Sequence, residues 1–170
     1  MNIDTSRVKE GLSRFPDEVA RKVLRGGTFA GAKLVRDRVK HGAPIRREGI
    51  KGKYYGRSGD TRIRYPGFLK RMIGAKYSRD KSNKMQVIYN IKPMGAAFYG
   101  FFVEGGHRVG KRPSKSRIRM GMDSRGWVQP YPFMEPVFRN AANEAVARMK
   151  TTMETGIVRE WKNTVNRELF

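Results

Sequence analysis

From Val137 onward, apolar or small side chains recur at Ala141, Ala145, Met149, Met153, Ile157, Trp161 and Val165. A spacing of four in an otherwise polar segment predicts one long amphipathic helix. The spacing exceeds the 3.6 residues of a helical turn, so the stripe drifts around the helix. One buried stripe need not cover all of it, and part of the helix is expected to face a partner.

The first third of the sequence also reads as helical. Val8, Leu12 and Phe15 sit at helical spacing. Pro16, Asp17 and Glu18 suit a first turn, because proline is tolerated there and acids favour the positive end of the helix dipole. Val19, Val23, Ala30 and Leu34 continue a stripe to about Val39, and His41-Gly42-Ala43-Pro44 ends it. Gly26, Gly27 and Gly31 interrupt the pattern at a cost of about 1 kcal/mol each against Ala. The favoured expectation is a break or kink near Gly26–Gly27. The alternative is close approach of another backbone, such as a neighbouring subunit.

Between the two helical regions the pattern changes. Residues 45–65 have no period, many bases and three tyrosines (Tyr54, Tyr55, Tyr65), which predicts a long loop or extended arm. Met85–Ile91 alternates and is β-branched, so a strand is expected there. Pro66–Ile73 suits a short helical turn or the start of a strand, and the partner strand is expected around Leu69–Tyr77, across the polar turn Ser78–Lys84. Ala96–Val103 is apolar and aromatic, and is short enough for a helical turn or a buried strand. A second basic, glycine-rich stretch covers residues 107–126. Trp127-Val128-Gln129 suits a short strand, and Pro130, Pro132 and Pro136 punctuate the entry to the last helix.

Charge narrows the function classes. The 170 residues, a length for one domain, hold 37 Lys and Arg against 15 Asp and Glu, a net charge of +22. Such an excess attracts polyanions and argues against an ordinary metabolic enzyme. The absence of Cys excludes disulfides, Cys-ligated zinc, iron–sulfur clusters and a thiol nucleophile. Only His41 and His107 could serve a triad or a His-rich metal site. No apolar run approaches the roughly 18 residues of a membrane span. Met1–Glu10 lacks the apolar centre of a secretory signal, so neither insertion nor export is expected. No cofactor and no metal are expected either.

Two segments carry the charge. The first holds Arg46, Arg47, Lys51, Lys53, Arg57, Arg62 and Arg64, interleaved with the tyrosines. The second holds Arg108, Lys111, Arg112, Lys115, Arg117, Arg119 and Arg125. Such side chains neutralise phosphates without reading sequence, and neighbouring aromatics can stack on bases. The plainer alternatives are solvated loops, or arms docking on acidic protein surfaces. Gly105–Lys111 matches the first part of a phosphate-binding loop. Arg112 stands where Ser or Thr is needed, however, and Pro113 blocks the following helix. Glu104 is expected to form an ion pair with Arg108 or a neighbouring subunit. Asp60, Asp80 and Asp123 are scattered, whereas a nuclease clusters its carboxylates around metal. No enzyme activity is expected.

Four segments, in order, resemble the small tail-completion or head–tail joining proteins of long-tailed bacteriophages, the minor tail component type of lambda-like phages. They are Ala30-Gly31-Ala32-Lys33-Leu34-Val35 followed by Ala43-Pro44, and Gly67-Phe68-Leu69-Lys70-Arg71. Then come Tyr99-Gly100-Phe101-Phe102-Val103-Glu104-Gly105-Gly106-His107 and Pro132-Phe133-Met134-Glu135-Pro136-Val137-Phe138. The family-like structural positions are Gly67, Leu69, Tyr99, Glu104, Gly105, Pro132, Phe133 and Pro136. The sequence departs from the family where Gly-Gly-His follows Glu104, at Val137, and in the length of residues 45–65.

The resemblance implies a non-enzymatic virion part of the neck, assembled in the host cytoplasm. There it would join the DNA-filled head to the tail as a homo-oligomeric ring around the DNA channel. Its neighbours would be head-completion, terminator or tube rings, and its basic loops would contact those rings or genomic DNA. The alternative reading is a stand-alone, non-specific nucleic-acid-binding protein of packaging or regulation. The fold expected is α+β in one domain over residues 1–170. It has a long N-terminal helix, a small, mostly antiparallel sheet from Leu69 to Val128 and a long C-terminal helix. Basic excursions leave it at about 45–65 and 107–126.

Overall fold

A computed structural model describes residues 17–45, 52–55, 61–83, 86–108 and 127–168. The fold is α+β. Helix α1 spans Asp17–Gly42. Strands β1 (Gly52–Tyr55) and β2 (Thr61–Arg64) form one antiparallel ladder. A short helix α2 (Phe68–Met72) leads into β3 (Ile73–Tyr77), which pairs antiparallel with β4 (Tyr89–Pro93). A 3₁₀ turn (Gly95–Ala97) and helix α3 (Gly100–Gly105) follow. Strands β5 (His107–Arg108) and β6 (Trp127–Val128) form a third ladder, and helix α4 spans Glu135–Glu168.

Helix α1 begins where its acids predict, with Asp17 and Glu18 in the first turn and Lys40 and His41 in the last, so both ends complement the helix dipole. The expected break at Gly26–Gly27 does not occur, and the helix runs straight through them. Close approach is the reason for Gly27 and Gly31, but the approaching backbone belongs to α4 of the same chain. A Cβ at Gly31 would lie 2.9 Å from the Ala145 carbonyl oxygen and also collide with the Met149 side chain. One at Gly27 would lie 3.1 Å from the Met149 carbonyl oxygen and collide with Met153. Gly26 differs from both: a Cβ there meets nothing within 4 Å.

The contacts fix an antiparallel register. Val23 meets Gly156, Gly27 meets Met153, Gly31 meets Met149 and Ala145, and Gly42 lies beside Val137. Along α4 the buried positions step by four through Ala141 and Ala145 to the partly buried Met149 and Met153, then by three to the buried Gly156. That shorter step corrects the drift. It turns Trp161 outward, 54% exposed, and turns the carboxylate of Glu160 inward.

Glu160 sits in the helix contact with Lys22 Nζ at 3.0 Å and the Arg159 guanidinium at 3.6 Å. The bond to Lys22 holds its carboxyl below the ordinary value of 4.5, with the charges of Lys22 and Arg159 adding to the effect against the opposing cost of burial.

The main core lies at the other end of the helix pair. Val35, Val39 and Ala43 of α1 and the turn after it meet Leu69, Ile73, Ala97, Phe133, Met134, Ala141 and Ala145. Of the two readings open for Pro66–Ile73 the helical turn holds, over Phe68–Met72, so the partner strand expected around Leu69–Tyr77 is confined to Ile73–Tyr77. Tyr65 O accepts from Phe68 N–H, and Gly67, at φ 75°, makes the left-handed entry to α2 that a side chain would strain. The strand expected at 85–91 lies slightly later, at 89–93. Ala96–Val103 is helical rather than a strand. Among the described residues the strands form three separate two-stranded ladders, with β3–β4 packed on α1, rather than one sheet.

The two adjacent glycines give opposite expectations. Gly26→Ala raises stability by up to about 1 kcal/mol, because it gains helix propensity and meets no obstacle. Gly31→Ala lowers it by about 1–3 kcal/mol, because the methyl group forces the helices apart. Denaturant titration of both variants checks this. Glu160→Gln is destabilising at neutral pH. Because the folded carboxyl titrates below its unfolded value, the stabilisation it gives is present above about 4.5 and lost as pH falls through the folded pKa. The gap between wild type and Glu160→Gln therefore closes in acid, which unfolding curves at neutral pH and near pH 3 detect.

Candidate interaction surfaces

The family-like positions converge on one place. Leu69 and Phe133 are buried in the core cluster, with Tyr99, Val103 and Val137 packed against it. Glu104 joins two of the segments directly. Its Oε2 accepts from the Phe133 N–H at 2.8 Å and the Met134 N–H at 3.0 Å, and its Oε1 accepts from the Glu135 N–H at 2.9 Å. These are orphan donors at the start of α4, where no preceding turn can accept from them. The next residue is Pro136, which has no N–H to satisfy. A carboxylate at this end also meets the positive pole of the helix dipole. The ion pair expected for Glu104 is therefore replaced by a helix cap supplied 30 residues away. Pro132 and Gly105 are exposed beside it.

Next to this joint lies an aromatic surface. Phe98, Phe101 and Phe102 on and before α3 stand about half exposed, as do Trp127 of β6 and Tyr131. The Phe98 and Phe102 rings meet edge-on at 5.9 Å, and Phe102 meets the His107 ring at 5.5 Å. Trp127 lies against Gly106, whose φ of 70° and close contact with the Val128 carbonyl leave no room for a side chain. The Tyr131 N–H bonds the Val103 carbonyl at 2.8 Å and holds the strand exit against α3. Behind this surface, Ile45, Tyr65, Phe68, Val103 and Tyr131 line a groove of about 450 Å³.

The carboxylates of the body are largely engaged within it. Asp37 pairs with Arg36, Glu144 with Arg38, Glu135 with Arg139 and Glu160 with Lys22, while Glu104 caps α4. The first three pairs are exposed or partly exposed and add little stability, about 0–1 kcal/mol each. Their larger effect is to leave the surplus cations facing outward.

Of the sequence-predicted basic residues, Lys53 lies in β1 opposite Ile63, and Arg62 and Arg64 lie in β2 opposite Tyr54 and Gly52. Arg108 is exposed in β5, opposite Trp127. Arg46, Arg47, Lys51, Arg57, Lys111, Arg112, Lys115, Arg117, Arg119 and Arg125 lie outside the described residues. The first excursion, expected to be a loop or extended arm, contains the β1–β2 ladder with residues 56–60 between its strands, and the β5–β6 ladder encloses residues 109–126. The sequence reading missed a third group of cations, Arg21, Lys22 and Arg25 on α1 with Arg148 and Arg159 on α4. Their helical spacing on the side of α1 away from Val23 and Gly27 was the available signal. Among the described residues no three His, Asp or Glu side chains gather as metal ligands, and no helix is long and apolar enough to cross a membrane.

Glu104→Ala is expected to lower stability by about 2–3 kcal/mol, since it strands amide donors that water reaches only partly. Glu104→Gln keeps an acceptor but loses the charge, so its loss is smaller, about 1 kcal/mol. Urea unfolding of the two variants measures the difference. No protein-family model matches the chain, and neither the curated proteins nor the solved structures contain a match to it.

Proposed function

We propose that the chain is a non-enzymatic structural component of a bacteriophage neck. It completes the tail and joins it to the DNA-filled head as a ring of copies around the DNA channel. The observation that carries this reading is the division of one small body into two kinds of surface. The aromatic surface of Phe98, Phe101, Phe102, Trp127 and Tyr131 offers the rigid apolar area that protein contacts favour. The outward cations offer charge to an anionic neighbour or to DNA.

The resemblance supports the choice of neck protein within that class. Its segments are the ones that build the core and the Glu104 joint, so they specify a scaffold rather than a reaction centre. A ring gives each copy two neighbours and covers exposed apolar faces repeatedly around a closed symmetry. Charge on the basic excursions then speeds the docking of two large particles.

The test has two arms. The purified protein should form closed rings by negative-stain electron microscopy. The paired change Phe101→Ser and Phe102→Ser should yield folded monomers and leave heads and tails unjoined in an assembly assay. Reversing Arg46, Arg47, Lys51 and Lys53 to Glu should preserve the rings and block joining. A wild-type monomer whose DNA affinity falls steeply with salt would instead favour a stand-alone nucleic-acid-binding protein.

A further inference from the structure

We infer that the solvent face of α1 around Gly26 binds the phosphodiester backbone of nucleic acid, separately from the basic excursions. Gly26 is the starting point. It interrupts a 26-residue helix at a cost in helix propensity, yet no neighbouring atom needs the space and its φ is not positive. Its sister glycines at 27 and 31 are explained by α4, and Gly26 is not. What its missing side chain does is leave bare the floor shared by two open grooves. One, about 400 Å³, has Arg21, Lys22, Arg25, Phe29 and Tyr89 around it, with Glu18 at its edge. The other, about 300 Å³, lies between α1 and α4 and has Lys22, Arg148 and Arg159.

The charges around Gly26 are unequal. Five cations stand against two carboxylates, Glu18 and Glu160, and Glu160 is already held by Lys22 and Arg159 together. Among the described residues no carboxylate pairs with Arg21, Arg25 or Arg148. Arg25 is also held in place. Its guanidinium lies 4.6 Å over the Tyr77 ring, Tyr77 meets Tyr89 at 5.6 Å, and Tyr89 meets Phe29 at 5.5 Å. A guanidinium seated over a ring makes that contact through its charge and keeps N–H donors for a phosphate. The hydroxyls of Thr151, Thr152 and Thr155 donate inward to carbonyls four residues earlier, so anion contacts in the second groove fall to the cations.

The layout suits a polymer rather than a single small anion. Cations flank both sides of a bare stretch of helix, and Arg21 to Phe29 spans about 12 Å of axis. A strand of DNA presents about three or four phosphates over that length. Phe29 at the groove wall, 40% exposed, favours nucleic acid over an acidic protein surface, because it offers a base a face to stack on.

The test is fluorescence anisotropy of the full-length chain with labelled duplex and single-stranded oligonucleotides over a range of salt. Gly26→Leu changes no charge, and its Cβ meets no atom within 4 Å. It should weaken DNA binding about tenfold while thermal stability holds or rises. Changing Arg21, Arg25 and Arg148 together to Gln should reduce the slope of log affinity against log salt by about 2.7 for a duplex. The same charge loss at Lys40, Lys70 and Arg71 should reduce it less.

The site is overturned if Gly26→Leu binds as wild type does, if the control triple weakens binding as much, or if the wild type does not bind DNA. It is also overturned if polyglutamate competes as well as DNA. Reversing Arg46, Arg47, Lys51 and Lys53 separates the two ideas. Should that change alone abolish binding while Gly26→Leu does nothing, the excursions hold DNA and this face does not. Ring formation is read in a different assay, so the neck reading and this site stand or fall separately.

Discussion

The closeness of α1 and α4 sets the geometry of everything else. Two helices with ordinary side chains at their crossing keep their axes 8–10 Å apart. Here Gly27 and Gly31 remove one helix's side chains where Met149 and Met153 need room. Methionine is unbranched and flexible, and it fills such a groove without a specific rotamer demand. The register this fixes brings Lys22 to Glu160 at one end and Gly42 to Val137 and Phe133 at the other. The core, the Glu104 cap and the aromatic surface all hang from that second end.

Glu104 ties local chemistry to surface charge. A helix that starts after a proline-rich segment has lost the usual Ser, Thr, Asp or Asn at its N-cap. A remote carboxylate takes over, which locks α3 to the start of α4. Across the body Asp37, Glu135, Glu144 and Glu160 each hold a nearby base, while Arg21, Arg25 and Arg148 pair with no carboxylate among the described residues.

What the sequence revealed depended on the range of the interaction. The four-residue repeat predicted α4, and Asp17-Glu18 marked the start of α1, because both signals are carried by neighbours in the chain. The strand near Ile91 and the short strand at Trp127 were legible from alternation and punctuation. The role of Gly27 and Gly31 was not, because their partners lie more than 100 residues away and a glycine pair reads locally as a break. Glu104 misled for the same reason: Arg108 stood nearby in sequence, while the backbone amides that it binds belonged to another segment. The aromatic run at 98–102 remained open between helix and strand until Pro93 and Leu69 supplied the surface on which Gly100 packs.

Gly26 and Gly27 show how packing and function separate within one dipeptide. Both cost the helix a comparable amount, and composition treats them alike. On a helix they point about 100° apart, so Gly27 meets α4 while Gly26 lies at the open edge of that contact, lining the grooves on both sides of it. A glycine facing a packed neighbour is accounted for by that neighbour. No packed neighbour accounts for Gly26, which lines a groove with Lys22 and Arg25. An alanine at Gly26 would give a better helix by about 1 kcal/mol, and the proposed phosphate contact is what would favour the open surface instead.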